Sequence, residues 1–181
     1  CEYVLDPCCG WGGRMLGTVA SGKHYIGFEP NLTTYNNLKK LVSYLKINNQ
    51  VTLINDGAEN MDLYDFPNVG LVLTSPPYYN LEIYADGKQQ SENQYDSYEE
   101  WRDNWLETII KKSLDRLQGH SCWNVHNVNK MKMIDDVKQI HDKFGYEEVM
   151  RYFISSSVRQ SNQNKTKNKK NKDLTLCYGK Y

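Results

Sequence analysis

Short apolar runs rich in β-branched and aromatic residues alternate with segments of 3.6-residue periodicity along the whole chain. That alternation restricts the fold to an α/β domain with a mainly parallel sheet, because each parallel crossover needs a helix to carry the chain back. Tyr3-Val4-Leu5, Tyr25-Ile26-Gly27-Phe28, Val51-Thr52-Leu53-Ile54 and Leu71-Val72-Leu73-Thr74 read as the first four strands. Met15, Leu16 and Val19 mark a helix after the first, and Tyr35, Leu38, Leu41, Val42 and Leu45 mark one after the second. A short turn-rich link follows the third. Tyr98, Trp101, Trp105, Ile109 and Leu117 give a long amphipathic helix, ahead of a strand near Cys122 to Val125. The last helix carries Ile134, Val137, Ile140 and Phe144 and stops at Gly145, in the left-handed capping position that glycine favours. Two closing strands, around Val149 to Ser155 and Leu174 to Tyr178, have no helical segment between them and read as an antiparallel pair. The sheet then has seven strands.

At 181 residues and 39% hydrophobic content, residues 1–181 suffice for one domain with its own core. Such a domain buries roughly 70% of its unfolded surface and needs no staple. The five cysteines, at 1, 8, 9, 122 and 177, form no CxxC pair and have no His at zinc-ligand spacing, so no metal site is expected. Their odd number, with an adjacent pair, also argues against a secreted disulfide framework. No apolar run approaches the roughly 20 residues of a membrane span, and no leader precedes Cys1. The expected setting is the cytoplasm, bacterial or of a phage- or virus-infected host. A start at Cys1 without Met, a few residues before the first strand, points to a missing natural N-terminal segment.

The net charge of zero hides a segregation. Arg159, Lys165, Lys167, Lys169, Lys170 and Lys172 place six positive charges within one polar connection, leaving the rest of the chain net acidic.

Ligands of open parallel sheets bind beyond the carboxyl ends of the strands, where the strand order reverses. Asp6-Pro7-Cys8-Cys9-Gly10-Trp11-Gly12-Gly13 follows the first strand and opens a helix, as a cofactor loop does. It is not a nicotinamide fingerprint, because Met15 stands where GxGxxG needs its third glycine. Nor is the run from Gly17 to Lys23 a phosphate loop, because His24 replaces the magnesium-binding Ser/Thr and the run ends a helix. Acids at the ends of three successive strands, Asp6, Glu29 and Asp56, fit a cationic ligand with an adenosine half. S-adenosylmethionine meets that description. Glu29 is placed to accept the ribose hydroxyls and Asp56, with Gly57 and Ala58, to meet the adenine. Asp6 is placed near the sulfonium and amino group, beside Pro7, Cys8, Gly10, Gly12 and Gly13. Cys8 and Cys9 read as small packing residues.

The fourth strand runs into Ser75-Pro76-Pro77-Tyr78-Tyr79-Asn80. This resembles the [D/N/S]-P-P-[Y/F] signature of DNA methyltransferases that modify exocyclic amines. With DPCCGWGG, FEPN and DGAEN, the resemblance spans essentially the whole chain. It implies a Rossmann-like class I methyltransferase fold and methyl transfer from S-adenosylmethionine to N4 of cytosine or N6 of adenine in DNA. Serine at the first position leans towards cytosine. An exocyclic amine is a poor nucleophile, since its lone pair is delocalised into the ring. Hydrogen bonds to Ser75 Oγ and the Pro76 carbonyl would localise it, and Pro76 and Pro77 fix the carbonyl direction. Tyr78 would stack on a base flipped out of the helix. Such a transfer needs positioning, with no metal and no covalent intermediate. Pro76-Pro77-Tyr78-Tyr79 also matches the PPxY ligand of WW domains, but it follows a buried-type strand directly, unlike an accessible polyproline segment.

The N-terminal element that packs on the methionine end in that family is missing. No insertion is large enough for a target-recognition domain, so recognition is expected from another chain or an upstream domain. Tyr79, Asn80 and the basic run from Arg159 to Lys172 are the expected DNA contacts, with residues 80–97 as a lid. Asn124, His126 and Asn127 are placed at the same crevice. An RNA or protein amine methyltransferase, or a catalytically silent nucleic-acid-binding relative, are the alternatives on this scaffold.

Overall fold

The first strand, β1 (Tyr3–Asp6), lies between two parallel neighbours, β2 (His24–Phe28) and β4 (Val69–Thr74). Beyond them are β3 (Val51–Ile54), parallel to β2, and β5 (Leu117–Val125), parallel to β4. Then β7 (Lys172–Gly179) runs antiparallel to β5, and β6 (Glu147–Ser155) pairs antiparallel with β7. The seven-stranded sheet has the order β3-β2-β1-β4-β5-β7-β6, mainly parallel as expected. These elements come from a computed structural model that describes residues 2–79, 95–129, 131–155 and 172–180, with backbone alone at 154–155 and 172–173.

Helices cover both faces of the sheet. On one side, Met15 of α1 (Gly13–Ala20) and Leu38 and Val42 of α2 (Leu32–Leu45) bury against Tyr25 and Cys9. The next residue of β2, Ile26, points to the opposite face and joins the larger core. That core takes in a continuous helix made of α3 (Tyr98–Trp101), a π-helical turn (Arg102–Leu106) and α4 (Glu107–Asp115). It also takes in α5 (Met133–Lys143), after which Gly145 adopts φ +75° as the capping pattern requires. The link after β3 is a 3₁₀ turn, Ala58–Leu63, seated through buried Ala58 and Met61.

Two expectations are corrected. Leu117 does not end the long helix: it opens β5, which starts five residues before Cys122, because pairing with β4 extends a stretch that carries no strand signal of its own. Cys122 and Cys177 face each other across β5 and β7, with Cα atoms 4.1 Å apart, and form a disulfide. The cysteine count argues against a framework of bridges, but it carries no information on cross-strand register, which is what brings this pair together.

Behind β5, His141 is fully buried and stacks on Tyr178 at 3.9 Å between centroids. Its Nδ1 donates to the Val137 carbonyl (2.8 Å), and its Nε2 accepts from Ser121 Oγ (3.0 Å), which in turn accepts from Trp123 Nε1 (2.7 Å). Burial pushes the imidazole pKa down to about 4, against a smaller upward pull from Val137. The folded state therefore holds this ring neutral over a range where the unfolded chain protonates it. Its contribution to stability is present above pH 6.5 and is lost as pH falls towards 4. Between pH 7.5 and 5, denaturant titrations should show a loss of about 2 kcal/mol from this group. The His141 ring should stay neutral by NMR down to about pH 4 in the folded protein.

Candidate active site

The strand order reverses between β1 and β4, and at that point Thr74 Oγ1 donates to Asp6 Oδ1 (2.7 Å). Asp6, the last residue of β1, is completely buried. Oδ1 also accepts from the Cys8 amide (3.2 Å), while Oδ2 accepts from Arg14 Nε (2.7 Å) and the Tyr25 hydroxyl (2.7 Å). A carboxylate accepts about four hydrogen bonds, so Asp6 is saturated. Its carboxylate has no accepting position left for a ligand's amino group. Asp6 instead ties β4, β2, α1 and the glycine loop together, and Arg14 also donates to the Cys8 carbonyl. Arg14, Tyr25 and Thr74 were not singled out in the sequence; their signal is a set of donors converging on one acid at the ends of adjacent strands.

Between Asp6 and α1 the chain turns through Gly10 (φ +55°) and Gly12 (φ +86°). A side chain at Gly12 would be strained by that φ, and its Cβ would sit 2.7 Å from Leu38. Pro7 and Gly12 are buried, Cys8 and Gly10 half-buried, and Gly13 opens α1 at the surface. Pro7-Cys8 is a Pro-Cys pair, but burial and the nearby Asp6 push the Cys8 thiol far up, and Cys9 likewise. Both cysteines are packing residues, as read from the sequence, and neither is a nucleophile.

Glu29, just past β2, is 9% exposed. It accepts from the Asn31 amide (2.9 Å) and from Gly10 N–H, while burial raises its pKa against those two bonds. Two of its four accepting positions remain for a ligand. Asp56, past β3, accepts from the Gly57 amide (2.7 Å) and Asn60 (3.0 Å) on Oδ1 and from the Tyr64 hydroxyl (2.8 Å) on Oδ2. Burial raises its pKa, but these three bonds outweigh that and hold it low. One accepting position remains. Gly57 and Ala58 are buried at the start of the 3₁₀ turn.

Ser75, Pro76, Pro77 and Tyr78 follow directly from Thr74, so the Asp6 bond fixes where this segment begins. Ser75 and Pro77 are half-buried, and Pro76 and Tyr78 are buried. The Tyr78 hydroxyl and His126 Nδ1 share a hydrogen bond (2.6 Å), and the two rings lie 4.2 Å apart. Tyr79 is buried, as Tyr78 is. It is 8% exposed, packs beside Trp101 and Tyr98, and donates to the Tyr95 carbonyl (3.1 Å). Asn124 donates to Thr175 within the sheet (3.0 Å), and Asn127 accepts the Ile134 amide at the start of α5 (3.0 Å). Of Asn124, His126 and Asn127, it is His126 that meets the SPPY segment among the described residues. Asn80, the lid up to residue 94, and Arg159, Lys165, Lys167, Lys169 and Lys170 lie outside the described residues, as does the side chain of Lys172. Among the described residues no cluster of His, Cys, Asp or Glu could hold a metal ion, and no helix is long and apolar enough to cross a membrane.

No family model and no curated protein matches the chain. Solved structures do. An rRNA methylase from Streptococcus thermophilus aligns with a TM-score of 0.60 at 18% identity, over 99% of this chain and 87% of that one. Streptococcus mutans SMU.1697c in complex with SAH gives 0.62 at 16% identity, over 99% and 89%. Precorrin-6y C5,15-methyltransferase from Geobacter metallireducens GS-15 gives 0.63 at 15% identity, over 99% and 80%. The chain thus has the Rossmann-like class I methyltransferase fold.

The Asp6 cluster yields a stability test. Asp6→Ala leaves Arg14, Tyr25 and Thr74 without their shared acceptor, and should cost about 3 kcal/mol in denaturant unfolding. Thr74→Val, which removes one donor of four, should cost about 1 kcal/mol.

Proposed function

We propose that this chain transfers a methyl group from S-adenosylmethionine to the exocyclic amine of cytosine (N4) or adenine (N6) in DNA. The observation that carries this reading is the Ser75-Pro76-Pro77-Tyr78 segment, which leaves the sheet at its switch point with its first residue next to the Thr74–Asp6 bond. The residues around the loop suit the cofactor. Glu29 has two accepting positions for the two ribose hydroxyls, and Asp56 has one for the adenine amino group. Residues 10–13 let backbone approach the ligand closely. S-adenosylmethionine, when bound, supplies a methyl group on a positively charged sulfur.

The chain's own residues then act on the acceptor amine. Ser75 Oγ and the Pro76 carbonyl accept its two hydrogens, drawing the nitrogen towards tetrahedral geometry and localising the lone pair. Tyr78 stacks on the base and holds it in line. The new N–C bond forms as the S–C bond breaks, and the amine afterwards releases one proton to water. Positioning supplies most of the acceleration. The segment from Arg159 to Lys172 contacts the phosphate backbone through its six positive charges. A second reading, with RNA as acceptor, is favoured by the name of the Streptococcus thermophilus rRNA methylase among the fold neighbours.

Transfer of tritiated methyl to DNA, RNA and protein, followed by nucleoside mass spectrometry, tests the proposal. N4-methylcytosine or N6-methyladenine in DNA is the expected product, whereas 5-methylcytosine or a protein adduct overturns it. Calorimetry should show Glu29→Ala weakening cofactor binding by about 10- to 100-fold, the value of hydrogen bonds to a charged group. Replacing four lysines of the basic run by Gln should lower the slope of log K against log salt for DNA by about 3 to 4 and leave cofactor affinity unchanged.

A further inference from the structure

We infer that His126 is a positioning residue that holds the Tyr78 ring in the plane from which it stacks on the acceptor base. The inference rests on the reading of Tyr78 just given and adds a residue to it. Thr74 pairs with Trp123 in the β4–β5 register, so the exits of these two parallel strands lie side by side. Val125 ends β5 and His126 follows it, level with the SPPY segment on the neighbouring strand.

Two restraints meet at Tyr78. Its hydroxyl lies on the axis about which the ring spins, so a hydrogen bond at that oxygen restrains the swing of the side chain but not the spin. The bond to His126 Nδ1, at 2.6 Å, supplies the first restraint. The second comes from the imidazole itself, whose ring centre lies 4.2 Å from that of Tyr78 at an interplanar angle of 41°, too close for the phenol ring to turn past it. The one imidazole thus restrains both swing and spin. A stacking ring fixed in advance loses no rotational freedom when the base arrives. Asn124, at the end of β5, and Asn127, just after it, bond instead to Thr175 and the start of α5.

The pairing is tested without any acceptor by NMR of ¹⁵N-labelled histidine. Tyr78→Phe should shift the Nδ1 resonance of His126 and leave those of His24, His120 and His141 in place. An unmoved resonance overturns the pairing. Single-turnover methyl transfer then reads its consequence. His126→Ala should slow the step about tenfold, the worth of one net hydrogen bond in a rate, with acceptor KM within twofold and cofactor Kd unchanged. His126→Asn, which keeps an acceptor near the Nδ1 position, should recover most of the rate. A rate unaffected by His126→Ala overturns the inference alone. So does a parallel fall of melting temperature and cofactor affinity, or an Asn variant no better than Ala. Wild-type protein that methylates no nucleic acid overturns the reading of Tyr78, and the inference with it, even when the NMR pairing is intact.

Discussion

A charged carboxylate with no exposed surface persists inside a protein when every accepting position is matched by a donor. Asp6 meets that condition through four donors drawn from four places: the strand on either side, the helix that follows, and its own loop. The consequence is positional. β1 cannot slide against β2 without losing Tyr25, β4 cannot slide without losing Thr74, and α1 cannot rotate without losing Arg14. The glycine loop and the SPPY segment begin at the two ends of this cluster, so their separation is set by hydrogen bonds of 2.7 Å and not by loop packing.

Saturation of Asp6 also divides labour among the three strand-end acids. Arg14 compensates the charge of Asp6, so it adds little to the field a ligand meets. Glu29 is the opposite case. Burial raises its pKa, which means that its charge is under-solvated, and hydroxyl donors brought by a ligand relieve that deficit more than they would at an exposed acid. Asp56 is held low by three bonds within its own turn and arrives nearly satisfied. Glu29 therefore gains more from a ligand's donors than Asp56 does. This ordering is invisible in a sequence, where the three acids look alike.

The succession of strands and helices along the chain was legible because the hydrophobic period changes from 2 to 3.6 at each boundary, a signal local to each element. The long-range pairs were not. Tyr25, Thr74 and Arg14 lie 19, 68 and 8 residues from Asp6, and nothing in their immediate surroundings marks them as its partners. Cys122 and Cys177 meet through antiparallel register across 55 residues. The start of β5 is a milder case, since Leu117 fits the apolar stripe of the preceding helix equally well until pairing with Val69 decides. At the site, residue types at strand ends were readable, and the saturation of each acid was not.

Tyr78 and Tyr79 belong to one buried cluster yet meet different partners. Tyr78 turns to the exit of β5 and meets His126, whereas Tyr79 turns to the long helix and meets Trp101 and Tyr98. The wall behind Tyr79 is itself built up: Trp101 stacks on Trp105 at 5.0 Å across the π-helical turn, and Trp105 Nε1 donates to Glu59 of the 3₁₀ turn (3.0 Å). That chain of contacts links the SPPY segment to the turn beginning at Ala58, immediately after Asp56 and Gly57. Tyr79 is thereby committed to packing that ties the SPPY segment to this turn, while Tyr78 faces His126 at the exit of β5.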